Sequence, residues 1–282
     1  PSSSTYFWSE GLRYDYLEDD AGNAHLVDNW LKISDYDSLA RYNPDQSNRY
    51  HLFTRANPST SQPLVLNNAG SVTNSNFNRN RRTVVLMHGF AGSATSSFNT
   101  ALLPAFLAAG DFNVIVLDWS AGSNWGPPGG RFINWLNSLT GANPNNYILC
   151  GFSVGGHGVG HMGRTINGNV GYISSLDPAD RWESNLVIRP NDASYTEIIH
   201  TNGGDSGWLN PLGHVDFYPN GGRSMPGCTT SLCNHNRAYN FMAESLRTGG
   251  FTGRRCDNIH SALSGNCQGS TLRMGGPNAK PG

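Results

Sequence analysis

Tyr147-Ile148-Leu149-Cys150-Gly151-Phe152-Ser153-Val154-Gly155-Gly156-His157 decides the fold of this chain. An apolar run ends in Gly151-x-Ser153-x-Gly155 and passes into a glycine-rich helix start, the strand-to-helix form of a nucleophile elbow. A serine there sits on a sharply turned, strained backbone, and the positions two before and two after it must lack a β-carbon. Gly151 and Gly155 meet that condition. With 34 glycines in the chain the pentapeptide alone is weak, and the strand in front of it supplies the weight.

Working outward, Thr83-Val84-Val85-Leu86-Met87 is a continuous apolar run, as a strand buried on both faces requires, and His88-Gly89-Phe90 stands at its end. A helix over Phe98 to Ala109 leads to a second buried strand, Asn113 to Asp118. Arg131 to Leu139 reads as helix, Tyr147 to Cys150 as the elbow strand, and Val170 to Leu176 as a strand ending at Asp177-Pro178. Nearer the N-terminus, Gly11 to Leu31 reads as short strands around an Asp-Asp-Ala-Gly turn. Arg49 to Thr54 is a strand, and Asn57 to Arg82 is loop around a short strand at Leu64-Val65-Leu66. This alternation predicts one α/β domain over residues 1–282 with a mostly parallel sheet covered on both faces. Reactive groups then belong at the carboxyl ends of the strands, where His88, Asp118, Ser153 and Asp177 fall.

Composition narrows the partners. A net charge of −1 gives no electrostatic reason for nucleic acid binding. No apolar stretch reaches the length of a membrane span, and Pro104 interrupts the best candidate. Only Lys32 and Lys280 are lysines, against 17 arginines. Arginine keeps its charge at a pH where lysine has lost it, so the bias suits strongly alkaline fluid or reflects lineage composition. Of five cysteines, Cys228 and Cys233 lie close together, as do Cys256 and Cys267, and two short-loop disulfides suit an extracellular protein. Cys150, inside the elbow strand, reads as a small buried hydrophobe. No cysteine and histidine set has convincing metal spacing, and no cofactor is expected.

A serine nucleophile needs a histidine to take its proton, a carboxylate to orient that histidine, and two backbone N–H donors for the oxyanion. In α/β-hydrolases the chain order is serine, acid, histidine. Asp177, Asp180, Asp192, Asp205 and Asp216 follow Ser153, as do His200, His214, His235 and His260. Asp177 is favoured as the first carboxylate at the end of the next strand, while Asp118 precedes the serine and reads as a helix or loop cap.

The ordered motifs resemble the pancreatic-type lipase family. They are Thr83 to Phe90, Val116-Leu117-Asp118-Trp119, the elbow, Leu176-Asp177-Pro178-Ala179, Ile199-His200-Thr201, Gly213 to Gly222, and Pro226-Gly227-Cys228 with Cys233-Asn234-His235-Asn236-Arg237. The N-terminal pattern from Gly11 to Asp28 looks most like the insect branch, and the scarcity of lysine is similar to that of lepidopteran midgut enzymes. The resemblance implies an α/β-hydrolase with Ser153 as nucleophile, Asp177 as acid and His235 as base. The His235 ring is expected within hydrogen-bond reach of both partners. The N–H groups of Phe90 and Val154 would form the oxyanion hole, and His88 would shape its loop. His157 and His200 match positions that are not catalytic, and His214 reads as structural.

Departures from the family are informative. Phe152 replaces the histidine usual before the nucleophile, a packing change expected not to touch the triad. Only Thr229 to Leu232 separate Cys228 from Cys233, where triglyceride lipases carry a long lid, so an uncovered cleft is expected. The Asn202 to Leu212 loop looks short, and the Ser120 to Asn146 segment is expected to carry a trimmed helix. Arg189 stands where the family's calcium cluster has an acid, so calcium is not implied, and no C-terminal β-sandwich domain follows. The resemblance therefore implies a secreted lipid ester hydrolase acting on acylglycerol, phospholipid or galactolipid, the last two suited to an uncovered cleft. The alternative is a non-catalytic lipid-binding or storage protein of the yolk-protein type.

Overall fold

The computed structural model describes residues 14–18, 22–28, 43–121, 126–180 and 186–280. The expected turn at Asp19 to Ala21 and the ends of the Gly11 to Leu31 region lie outside the described residues. Strands β1 (Tyr14–Glu18) and β2 (Ala24–Asp28) form an antiparallel hairpin. Helix α1 (Pro44–Ser47) leads into β3 (Arg49–Phe53), β4 (Gln62–Leu64), helix α2 (Ala69–Thr73) and β5 (Thr83–Met87). Helix α3 (Ser97–Ala109), β6 (Asn113–Asp118), helix α4 (Gly126–Thr140), β7 (Tyr147–Phe152), helix α5 (Val154–Thr165) and β8 (Tyr172–Leu176) follow. The chain continues through β9 (Thr196–Ile199), β10 (Val215–Phe217), helix α6 (Ser231–Thr248), β11 (Phe251–Arg254), helix α7 (Ile259–Ser264) and β12 (Thr271–Met274).

The central sheet runs β10-β9-β8-β7-β5-β6-β3-β4. Its first six strands are parallel, and β3 and β4 add antiparallel at one edge. Every residue of β5 to β9 is buried, so these strands are mostly apolar on both faces rather than alternating apolar and polar. The pleat divides their side chains between two cores. Val85, Met87, Ile115, Leu117 and Leu149 join Phe132 and Ile133 of α4 and Val159 and Met162 of α5. Val84, Leu86, Val114, Val116 and Ile148 join Phe98, Leu102 and Phe106 of α3 and Tyr239, Met242 and Leu246 of α6. The chain thus has the expected α/β-hydrolase fold with a mostly parallel sheet.

Two expectations need adjusting. The strand expected at Leu64 to Leu66 ends at Leu64, because the backbone of Val65 bonds instead to Ser71 Oγ at 2.9 Å and to the N–H of Asn68 at 3.0 Å. Helix α4 extends beyond the expected Arg131 to Leu139 and begins at Gly126, with Pro127 and Pro128 in its first turn, where a backbone N–H has no helical partner anyway. Pro104 lies inside α3 on its exposed side without ending it. Among the described residues no helix is long and apolar enough to cross a membrane.

Beyond β12 the chain folds back along the amino ends of the parallel strands. Gly275 N–H donates to Glu197 Oε1 at 2.7 Å and Gly276 N–H to Ser245 Oγ at 2.8 Å. Arg82 holds the Pro277 carbonyl and the Asn278 side chain, and Lys280 Nζ pairs with Glu197 Oε2 between the rings of Tyr172 and Tyr195. Both expected disulfides are present, Cys228–Cys233 and Cys256–Cys267. Cys150 is a free, buried thiol whose burial pushes its pKa well above the ordinary value.

Candidate active site

The apolar strand β7 delivers Ser153 to its carboxyl end at φ 57° and ψ −122°, a left-handed conformation that a non-glycine residue adopts only when its surroundings enforce it. The enforcement is visible. Ser153 N–H donates to Leu176 O at 3.1 Å, and Ser153 O accepts from Gly156 and Ala179 at 2.9 and 3.1 Å. A β-carbon on Gly151 would lie 2.1 Å from Gly155 O, and one on Gly155 would lie 2.4 Å from the carbonyls of Met87 and His88. The glycine spacing is therefore what lets α5 start directly above the strand ends.

Asp177 follows β8 with φ 42° and is fully buried. Its Oδ1 accepts from the N–H groups of Thr201 and Asn202 at 2.7 and 3.0 Å, and its Oδ2 meets His235 Nδ1 at 2.5 Å. Gly207 passes so close that a β-carbon there would come within 2.4 Å of the carboxylate. His235 stands in the first turns of α6, where Thr230 Oγ1 caps the helix by accepting from Cys233 N–H at 3.2 Å. Among the described residues no hydrogen bond joins Ser153 Oγ to the His235 ring, unlike the expected contact with both partners. Serine hydrolase sites without substrate hold this bond loosely and tighten it around a bound ester.

Phe152 corrects an expectation. Its ring lies 4.5 Å from that of His235, so it does touch the candidate base. Phe152 rests in turn on Phe98 and Tyr239 and forms the apolar back wall of the imidazole pocket.

Phe90 follows β5, and Val154 opens α5, a position with no intrahelical acceptor for its N–H. Neither N–H has a hydrogen-bond partner among the described residues. Ala91 beside Phe90 has φ 51°, so three of the five non-glycine residues with positive φ among the described residues ring this site. His88 lies beneath the Phe90 loop, with Nδ1 2.9 Å from Gly89 O and its ring stacked on Trp119. Asp118 accepts from Ser120 N–H as a loop cap. Burial pushes its carboxyl up, but hydrogen bonds from His88 and Ser120 outweigh this and hold it well below the usual range.

The other candidates stand elsewhere. His200 is buried between Trp208 O and Asp216 Oδ1 and stacks on Tyr218, which stiffens the loop that anchors Asp177. His214 accepts from Thr196 N–H, and His157 bonds Ala179 O, its pKa lowered to about 4 by burial. Asp192 is engaged with Arg189 N–H and Arg164, and burial raises its pKa to about 6. Among the described residues no group of three acidic, cysteine or histidine side chains could hold a metal ion. Sequence reasoning missed the anchoring N–H groups of Thr201 and Asn202, which carry no side-chain signature, and also His25, whose ring meets Phe90 edge-on at 5.7 Å.

The family model described as Lipase matches residues 20–276. The chain belongs to the lipase family. This lipase-family chain is 30% identical over 300 residues to the pancreatic triacylglycerol lipase of Myocastor coypus, covering 90% of this chain and 64% of that protein. It is 30% identical over 293 residues to that of Sus scrofa, covering 89% and 64%. The chain thus spans less than two thirds of the length of these relatives. Among solved structures, a ferulic acid complex of Est1E from Butyrivibrio proteoclasticus is 12% identical, covering 72% of this chain and 93% of that one, with a TM-score of 0.45.

Proposed function

We propose that this lipase-family chain is a lipid carboxylic-ester hydrolase working through an acyl-enzyme. The observation that carries the reading is the Asp177–His235 bond at 2.5 Å beside a serine held in a strained elbow. In the reaction His235 takes the Ser153 proton as Oγ attacks the ester carbonyl. Asp177 keeps the ring oriented and stabilises the imidazolium. The developing oxyanion is received by the N–H groups of Phe90 and Val154, which have no other partner to give up. His235 then protonates the leaving alcohol, and water repeats the sequence to release the acid.

The four-residue segment between Cys228 and Cys233 leaves room for polar headgroups, which favours phospholipid or galactolipid alongside acylglycerol. Two short-loop disulfides suit secretion, and the arginine bias suits an alkaline gut lumen such as that of an insect midgut. The deciding experiment compares wild type with Ser153→Ala on triglyceride, phosphatidylcholine and galactolipid. Wild type is expected to hydrolyse at least one, and the variant to lose activity by at least about a thousandfold while staying folded. A variant retaining most activity would falsify the nucleophile assignment.

A further inference from the structure

The β1–β2 hairpin meets two of the elements that carry the candidate site. His25 on β2 sets its ring edge-on against Phe90, with centroids 5.7 Å apart and planes at 89°. Gly22, at the entry to β2, comes so near the disulfide loop that a β-carbon on it would lie 3.7 Å from Leu232 Cδ2. Leu232 is on the first turn of α6, the helix that carries His235. The hairpin therefore spans from the oxyanion loop to the base-bearing helix. Its opposite face carries Tyr16 and Leu26, directly paired across the strands and 66% and 59% exposed.

The Phe90 loop needs such a brace. Ala91 lies in the left-handed region, which a residue with a β-carbon occupies only where neighbouring groups over-determine it. From below, His88 meets Gly89 O and packs against Gly92. From above, the described residue in ring contact with Phe90 is His25. An edge-on pair places a positive ring edge on a negative ring face, a geometry that resists rotation of either ring. A Phe90 ring packed on both sides anchors its own backbone, and a shift of that backbone would carry the oxyanion donor off its aim, where small displacements are costly to rate.

We propose that His25 is a positioning residue for the oxyanion hole, holding Phe90 so that its N–H stays aimed at the reacting carbonyl oxygen. The hairpin then serves as the cleft wall that the short cysteine loop does not provide. This rests on the hydrolase reading above.

The test uses the full chain and a soluble short-chain p-nitrophenyl ester below its solubility limit, with His25→Ala, His25→Phe and Ser153→Ala side by side. His25→Ala is expected to lower kcat about tenfold with KM within about twofold of wild type, because the donor acts only on the charge that develops in the transition state. His25→Phe, which keeps a ring edge, is expected to restore kcat to within about threefold. Phosphorylation of Ser153 by diethyl p-nitrophenyl phosphate, with loss of p-nitrophenolate, should slow in parallel. A kcat within twofold of wild type in His25→Ala, or equal impairment of the two His25 variants, would overturn the proposal. If His25→Ala fails to fold, His25→Leu supplies side-chain bulk without a ring and must show the same loss of kcat. Full activity in Ser153→Ala would instead sink the hydrolase reading.

Discussion

At the scale of single residues, the position before Ser153 bears most directly on the candidate site. Phe152 fills the wall behind His235 and is itself almost fully buried. Phe152→Ala should cost about 3–5 kcal/mol of stability, and it should lower kcat because the imidazole loses its back wall. Chemical denaturation together with soluble-ester kinetics checks both. Asp177→Asn should leave the fold intact while lowering kcat by about four orders of magnitude, since an amide selects the wrong imidazole tautomer. A smaller loss, below about tenfold, would point to another acid. Asp192 gives a pH signature away from the cleft. Burial raises its carboxyl to about 6, so its contribution to stability is complete below its ordinary acid value and is lost as pH rises through about 6. Asp192→Asn should flatten the dependence of Tm on pH over that interval, and an unchanged slope would refute the assignment.

At the scale of elements, helix α6 places His235, the proposed base, and its first turn is secured by the Thr230 cap and the Cys228–Cys233 bond. Thr230→Ala should cost about 1 kcal/mol. Replacing both cysteines by serine should lower kcat more than it lowers Tm, because the loosened turn holds His235 but little of the core. The two measurements made on one preparation decide it. Strands β5 to β8 were legible in the sequence because burial on both faces favours mainly apolar runs, whereas β9, with Thr196 and Glu197, was not read as a strand. The start of α4 was not, since Gly126-Pro127-Pro128-Gly129-Gly130 has the composition of a loop and is helical through packing. Ser153 and Asp177 followed from strand ends. His235 needed the family resemblance, because nothing local separates it from His200, His214 or His260. The Phe152 and His25 contacts join segments far apart in sequence, which no periodicity reports.

At the scale of the whole molecule, the tail beyond β12 closes the amino-end side of the sheet through one buried ion pair. Burial pushes the Glu197 carboxyl up and the Lys280 amine down, so each partner resists its own charge and depends on the other. Lys280→Ala should destabilise by about 3–5 kcal/mol by leaving Glu197 uncompensated, whereas Glu197→Gln with Lys280→Met should recover most of that loss. Equal destabilisation in the single and double variants would show that packing, not charge, is what the tail provides. Lysine is so scarce that this latch also has a chemical use. An amine-acylating reagent that modifies Lys280 must wait for the tail to lift, so mass-spectrometric timing of that single modification would read the opening rate of the chain terminus directly, with no probe engineered in.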